Sequence, residues 1–222
     1  MRTVVTASIT LGLAVGVFGI SFGVGAVSAH ASVLQACVIS LLVFTGASQF
    51  SAVSVLLAGG SYASALGGAL VLGGRNGVYG LAMSPHLRGR LGTRLVAAQL
   101  TIDESTSMAL AQDDEHARRL AFWVTGLTVY LCWNLGTLIG ALAGQAIDPQ
   151  TFGLDAAFPA AYVAMVWPLL RGRRPLLAAA LGVVVCLALI PFVPIGVPIL
   201  CAALAVLVGV PQPGPVPAAV ET

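Results

Sequence analysis

Arg75 stands deep in an apolar stretch, residues 62–83, flanked by Gly73, Gly74, Asn76 and Gly77. An arginine near the centre of a bilayer costs at least about 2.5–3.5 kcal/mol on insertion scales, so its guanidinium must face a partner, water or a ligand. Tyr79 follows four residues on, on the same helical face, where its hydroxyl can orient the guanidinium or bond a ligand. The competing reading of Arg75 is a structural ion pair or a side chain that snorkels to the interface. A second polar centre is Asp103-Glu104, inside Thr101-Ile102-Asp103-Glu104-Ser105-Thr106-Ser107. A carboxylate in a low-dielectric site takes up a proton readily, and such groups act as relays in transporters. A solvated loop pair is the plainer alternative. The third constellation is Phe44-Thr45-Gly46-Ala47-Ser48-Gln49-Phe50. Its Thr, Ser and Gln need hydrogen-bond partners inside a membrane, either other helices or a ligand. Gly46 can open the helix so that backbone groups reach that ligand.

The elements that carry these residues are set by composition. Of 222 residues, 58% are apolar and 8% charged, against about 25% charged in an ordinary soluble domain. So few charges cannot cover a surface in contact with water. All ten basic residues are Arg, and the net charge of +2 is too small for a nucleic-acid-binding stripe. Cys37, Cys132, Cys186 and Cys201 form no C-x-x-C pair, and His30, His86 and His116 are far apart, so no disulfide framework, metal site or cofactor is expected. A nucleotide loop and a catalytic Ser-His-Asp order are absent from the sequence, which argues against an enzyme.

A spanning helix needs about 20 apolar residues. By that rule, spans are expected at residues 4–28, 34–57, 62–83, 118–144 and 154–170. Residues 175–210 carry Pro191, Pro194 and Pro198 and divide into spans near 175–190 and 193–210. The stretch 4–28 is too long for the apolar region of a cleaved signal peptide and reads as a retained span. Residues 91–111 mix apolar residues with Arg94, Asp103 and Glu104, which fits a shielded polar span or a re-entrant hairpin. The expected fold is all-α: a polytopic membrane helix bundle of about 6–8 segments, some broken or re-entrant. It forms one transmembrane domain over 1–210, with a disordered Pro-rich tail over 211–222. No internal repeat stands out by eye, and a diverged inverted repeat stays open.

Arg marks the cytoplasmic side of short loops. Arg88, Arg90 and Arg94 lie in one loop and Arg171, Arg173 and Arg174 in another, whereas 145–155 holds Asp148 and Asp155 without a basic residue. Three full spans before residue 84 would put Arg2 outside, so simple spans cannot satisfy both Arg2 and the 84–94 cluster. One early segment is expected to be re-entrant or broken, and the parity stays open. Asp113, Asp114, Glu115, Arg118 and Arg119 read as a solvated interfacial run. G-x-x-x-G pairs at Gly12/Gly16, Gly19/Gly23, Gly73/Gly77, Gly136/Gly140 and Gly140/Gly144 let helices approach closely, within the chain or with a partner.

Five stretches carry a family resemblance: Phe18-Gly19-Ile20-Ser21-Phe22-Gly23, Leu41 to Phe50, Arg75-Asn76-Gly77-Val78-Tyr79-Gly80, Ser84-Pro85-His86-Leu87-Arg88-Gly89, and Asp103-Glu104. In order and spacing over roughly residues 10–110, the chain resembles the AzlC-like proteins, the large subunits of branched-chain amino acid exporters. It departs from them at Val17, where the family has Pro, and at Gly73 and Asn76, where it has Asn and His. The resemblance implies export of Leu, Ile, Val or possibly Met across the bacterial inner membrane, driven by an ion gradient. It also implies a small hydrophobic membrane subunit, AzlD-like, as partner. The expected substrate-binding residues are Arg75, Asn76, Tyr79, Gly46, Ser48, Gln49 and Phe22, with Asp103 and Glu104 as proton-coupling groups. An anion- or small-solute-selective pore, and a membrane scaffold that transports nothing, are the alternatives.

Overall fold

The structure is a computed structural model and describes residues 2–146, 170–193 and 197–205, with residues 160, 163, 167 and 207 singly. The described residues form helices and no strands: α1 Arg2–Ser28, α2 Val33–Leu42, α3 Gly46–Leu57, α4 Tyr62–Met83, α5 Leu91–Gln99, α6 Asp103–Leu110, α7 Glu115–Ala146, α8 Arg173–Leu189 and α9 Val197–Ala202, the last continued by a 3-10 turn over Ala203–Ala205. Helices α1 and α7 are each long and apolar enough to cross a membrane. Large side chains such as Leu13, Val17, Leu70, Leu131 and Leu135 lie about 60% exposed along them and along α4. Ser8, Ser40, Ser48, Gln49, Thr125 and Thr137, by contrast, are fully buried. An apolar exterior, with hydroxyls and an amide buried among the apolar core residues, is what a protein dissolved in lipid shows. The chain is an all-helical membrane bundle, as its composition predicts.

Helices α1 and α7 form the central pair, and small residues set their spacing. Gly16 lies against Cys132, Gly19 against Trp133 and Gly23 against Thr137, while Gly136 and Gly140 lie on the carbonyls of Gly16 and Ile20. Residue numbers rise together along both helices, so the two run parallel. Ser8 and Thr125 share a hydrogen bond of 2.8 Å across the same seam. The end of the bundle holding Arg2 and Glu115 is called proximal below, and the end holding Ser28 and Ala146 distal.

After α1, His30 turns the chain in a left-handed conformation (φ 66°), with the His30 and Ala31 amides bonded back to Val27 and Ala26. Ser32 then caps α2 in a reciprocal pair with Gln35. From the distal end α2 descends along α7: Ser40 meets Thr137 at 3.1 Å, and Phe44 meets the Tyr130 ring at 4.9 Å. There the helix stops. The Gln49 side-chain amide donates to the Ile39 carbonyl at 3.4 Å, which ties the start of α3 to the end of α2. Helix α3 returns antiparallel to α4, with Ser48 facing Gly73 and Ser51 facing Gly68. The expected continuous span at 34–57 is therefore a re-entrant hairpin. Its break, Val43-Phe44-Thr45, carries no Gly or Pro. Gly46 follows it directly, and the groups freed at the break find partners elsewhere: the Leu41 carbonyl accepts from Tyr130 at 3.2 Å and from Gln99 at 2.9 Å.

Helix α4, capped by Ser61, runs from the distal to the proximal end, where His86 lies 2.8 Å from Glu115 at the start of α7. The ambiguous 91–111 stretch is a second hairpin. Helix α5 rises until Leu100 packs on Gly126, and α6 packs back along α7 to the link at 111–114. Each unit, α1–α2–α3 and α4–α5–α6, is thus a long helix followed by a hairpin that re-enters from the end where the helix finishes. The units run in opposite senses, which is an inverted repeat. The seam of α3 on α4 recurs as that of α6 on α7. Of the remaining expectations, 175–190 corresponds to α8. The 193–210 segment is helical over Val197–Ala202 within its described part, and 154–170 and the 211–222 tail lie largely or wholly outside the described residues.

Candidate functional site

The two hairpin breaks meet in mid-bundle and enclose a small cavity. Phe44, Gly46 and Ala47 come from the first break, and Ile102, Asp103 and Glu104 from the second. Arg75 of α4 completes the polar side. Val15 and Phe18 of α1 with Val129 and Trp133 of α7 form an apolar wall. The accessible space is about 50 Å³. That holds roughly four waters at 10–15 Å³ each, and is too small for a leucine side chain and backbone together.

Each charged group is held by local structure. Ser105 receives the Ile102 amide at 3.1 Å and donates to the Leu100 carbonyl at 2.6 Å, which fixes the sharp entry into α6. Asp103 and Glu104 then occupy the first turn of α6, where the positive end of the helix dipole favours carboxylates. The Arg75 guanidinium pairs with the Asp103 carboxylate at 3.3 Å, and both side chains are about one-third exposed. Glu104 lies within electrostatic reach of both. The Arg75 Nε–H finds no partner among the described residues, although it is buried. Helix α3 starts at Gly46 without a side-chain cap from Thr45, so the positive end of its dipole also points at the cavity.

Of the residues expected to bind substrate, the cavity walls include Arg75 and Gly46, together with the expected proton-coupling pair Asp103 and Glu104. Asn76 is next to Arg75 with a buried, unpartnered Oδ1 but outside the walls. Tyr79 is partly buried and makes no hydrogen bond among the described residues. Ser48 and Gln49 hold the first hairpin to itself, the Ser48 hydroxyl 3.4 Å from that of Thr45 and Gln49 bonded to the Ile39 carbonyl, while Ser48 packs on Gly73 of α4. Phe22 is a core residue, stacked on Trp133 at 6.2 Å and edge-on to Phe50 at 6.3 Å. Sequence reasoning missed Trp133 and Phe18. Trp133 lies 83 residues beyond the Leu41–Phe50 motif, and only its rarity among 222 residues marks it. It is 3% exposed, carries an unpartnered indole N–H, and a methyl group on Gly46 would meet its ring at 3.1 Å.

This arrangement sits in the part of the chain that matches known proteins. A family model described as "AzlC protein" matches residues 10–147. The chain belongs to the AzlC family. Among its relatives, the "Branched-chain amino acid transport protein AzlC" of Bacillus subtilis (strain 168) is 28% identical over 148 residues, 65% of this chain and 58% of that protein. The "Inner membrane protein YgaZ" of Escherichia coli (strain K12) is 29% identical over 146 residues, 62% of this chain and 58% of that protein. The chain thus spans less than two thirds of the length of these curated relatives. No solved structure matches it significantly. The AzlC match starts eight residues into α1 and ends one residue after α7, so it takes in nearly all of both repeat units and the cavity between them.

Proposed function

We propose that this AzlC-family chain is the permease subunit of a multi-pass inner-membrane exporter for branched-chain or other apolar amino acids. The reading rests on one observation above all: a cation, two carboxylates and an aromatic wall share a single cavity between two broken helices. That set complements a zwitterion with an apolar side chain. The substrate carboxylate replaces Asp103 on the Arg75 fork and faces the α3 N-terminus. Its ammonium goes to Asp103 and Glu104, and its side chain to Phe18, Phe44 and Trp133. The name of the Bacillus subtilis relative supports transport of branched-chain amino acids, and that of the Escherichia coli relative an inner-membrane location.

Proton uptake by Asp103 or Glu104 weakens the hold on Arg75 and frees it for substrate, which couples transport to a proton gradient by competition. A cavity of about 50 Å³ must widen before a leucine enters, so a hairpin moves in the cycle. Apart from Arg75 in the cavity, the Arg of the described N-terminal part, namely Arg2, Arg88, Arg90, Arg94, Arg118 and Arg119, gathers at the proximal end, which supports a cytoplasmic placement there. The re-entrant first hairpin removes the conflict between Arg2 and the 84–94 cluster. The exposed α4 face around Gly74, Gly77 and Val78 is offered to the small AzlD-like subunit.

The test is counterflow of labelled leucine, valine and methionine in proteoliposomes, with and without the small subunit. Saturable flux that Arg75→Ala removes supports the reading. Non-saturable anion flux would favour a pore. Wild-type flux from correctly inserted Arg75→Ala would leave Arg75 structural and sink this mechanism.

A further inference from the structure

A second, larger cavity opens at the proximal end, between the end of α4 and helix α5. Its volume is about 350 Å³, within the range of small-molecule sites and enough for a whole amino acid. Arg88, Arg94, Ser84 and Thr101 supply its polar wall, and Met83 and Leu87 much of its apolar one. Among the described residues, neither Arg88 nor Arg94 takes part in an ion pair. The wall residue Thr101 is followed directly by Ile102 and Asp103, which line the inner cavity. The second hairpin tip therefore separates the two spaces. That tip is closed on itself: the Thr101 hydroxyl donates to the Ala97 carbonyl at 2.7 Å, and Ser105 bonds both Leu100 and Ile102. Its outward polar tie to the first hairpin is the Gln99 amide on the Leu41 and Leu42 carbonyls, so a shift of the tip as a unit has that bond to break while its internal bonds stay made.

We propose that the proximal cavity is a second amino-acid site, which holds the substrate by its carboxylate on Arg88 and Arg94 and loads the inner site past the Thr101–Ile102 tip. This rests on the transport reading above and adds a waiting position to it. The inner cavity selects by enclosure; the outer one collects by charge, with room for the apolar side chain along Met83 and Leu87. A lipid phosphate offers the same anionic chemistry, so the test must separate the two sources.

The full chain, with the small subunit where it copurifies, is placed in nanodiscs of zwitterionic lipid, and labelled leucine binding is counted by equilibrium dialysis. Two sites per chain are expected. The double variant Arg88→Gln/Arg94→Gln should weaken one of them about tenfold, the loss of a charge-assisted carboxylate contact, and leave the other. Arg75→Gln should do the reverse. Ala98→Phe, which fills the outer cavity without touching its charges, should also remove one site. One site per chain, indifferent to Arg88→Gln/Arg94→Gln and Ala98→Phe, overturns the proposal and leaves the transport reading standing. So does an outer cavity that takes no leucine yet binds added phosphatidylglycerol through Arg88 and Arg94. Absence of leucine binding at any position overturns both readings together.

Discussion

The seam between α1 and α7 is the feature most open to a quantitative test, because two substitutions of one kind should move stability in opposite directions. At Gly140 a methyl group would overlap the Ile20 carbonyl oxygen and stand 2.7 Å from the Ile20 carbonyl carbon and 2.9 Å from its Cα. These are backbone atoms of a helix and cannot rotate away. Ordinary contact begins near 3.4 Å, so α1 and α7 must part by more than about 0.7 Å at this level, the carbonyl oxygen being nearer still. Overlap with helix backbone puts the overpacking cost in the upper part of its usual range, about 2–3 kcal/mol, and the gain in helix propensity from Gly to Ala returns about 1 kcal/mol. At Gly74, on the exposed face of α4, nothing among the described residues lies within 4 Å of the added methyl, and only the propensity gain remains. Gly140→Ala should therefore lower the melting temperature of the detergent-purified protein by about 2–8 °C, and Gly74→Ala should raise it by up to about 4 °C. Intrinsic fluorescence on heating reads both, since Trp133 lies in the seam. If Gly140→Ala melts with the wild type or above it, the close parallel packing described here is wrong.

Arg75→Lys keeps the charge but loses the planar fork, and should raise the KM for leucine counterflow by about tenfold or more, with protein still inserted. Asp103→Asn should keep substrate binding and flatten the pH dependence of counterflow; an unchanged pH profile moves the proton site to Glu104. In a background free of Cys37, Cys132, Cys186 and Cys201, Gly60→Cys should react with an impermeant thiol reagent applied outside intact cells and Gly89→Cys should not. The opposite pattern inverts the topology. Gln99→Ala removes the 2.9 Å bond from the second hairpin to the Leu41 carbonyl, and should speed thiol labelling at Thr101→Cys several-fold; an unaltered rate means that this contact does not restrain the tip.

Long apolar runs gave the existence and ends of α1, α4, α7 and α8 from sequence, because a spanning helix needs uninterrupted hydropathy and little else. The α4 reading of 62–83 agrees with the helix Tyr62–Met83. The first hairpin was only half legible: the Arg parity called for one broken early segment and Gly46 for an opened helix, yet 34–57 still read as one span. Val43-Phe44-Thr45 is as apolar as its surroundings, and what stops α2 there is Tyr130 and Gln99, contributed from 89 and 58 residues away. The second hairpin was one of two readings of 91–111, the other a shielded span, because Arg94, Asp103 and Glu104 interrupt its hydropathy without saying where the chain turns. The polar half of the site was legible for the same reason: Arg75 and the carboxylates are expensive in lipid and must find one another. The apolar half was not. Phe18, Val129 and Trp133 differ in nothing but position from dozens of lipid-facing residues.

The division of the site between the repeats bears on how it opens. Arg75 and Asp103 both belong to the second unit, so their ion pair is internal to α4–α5–α6. Phe18 and Phe44 come from the first unit, and Trp133 from α7, which the glycine seam locks to α1. Movement of one unit against the other would therefore enlarge the space between charges and aromatic wall without pulling Arg75 from Asp103. Protonation of a carboxylate would release Arg75 without moving either unit. On the transport reading, widening and charge release are then separate steps, carried by different contacts. A variant that loosens the seam should change the rate of access, and one that neutralises Asp103 should change its dependence on pH.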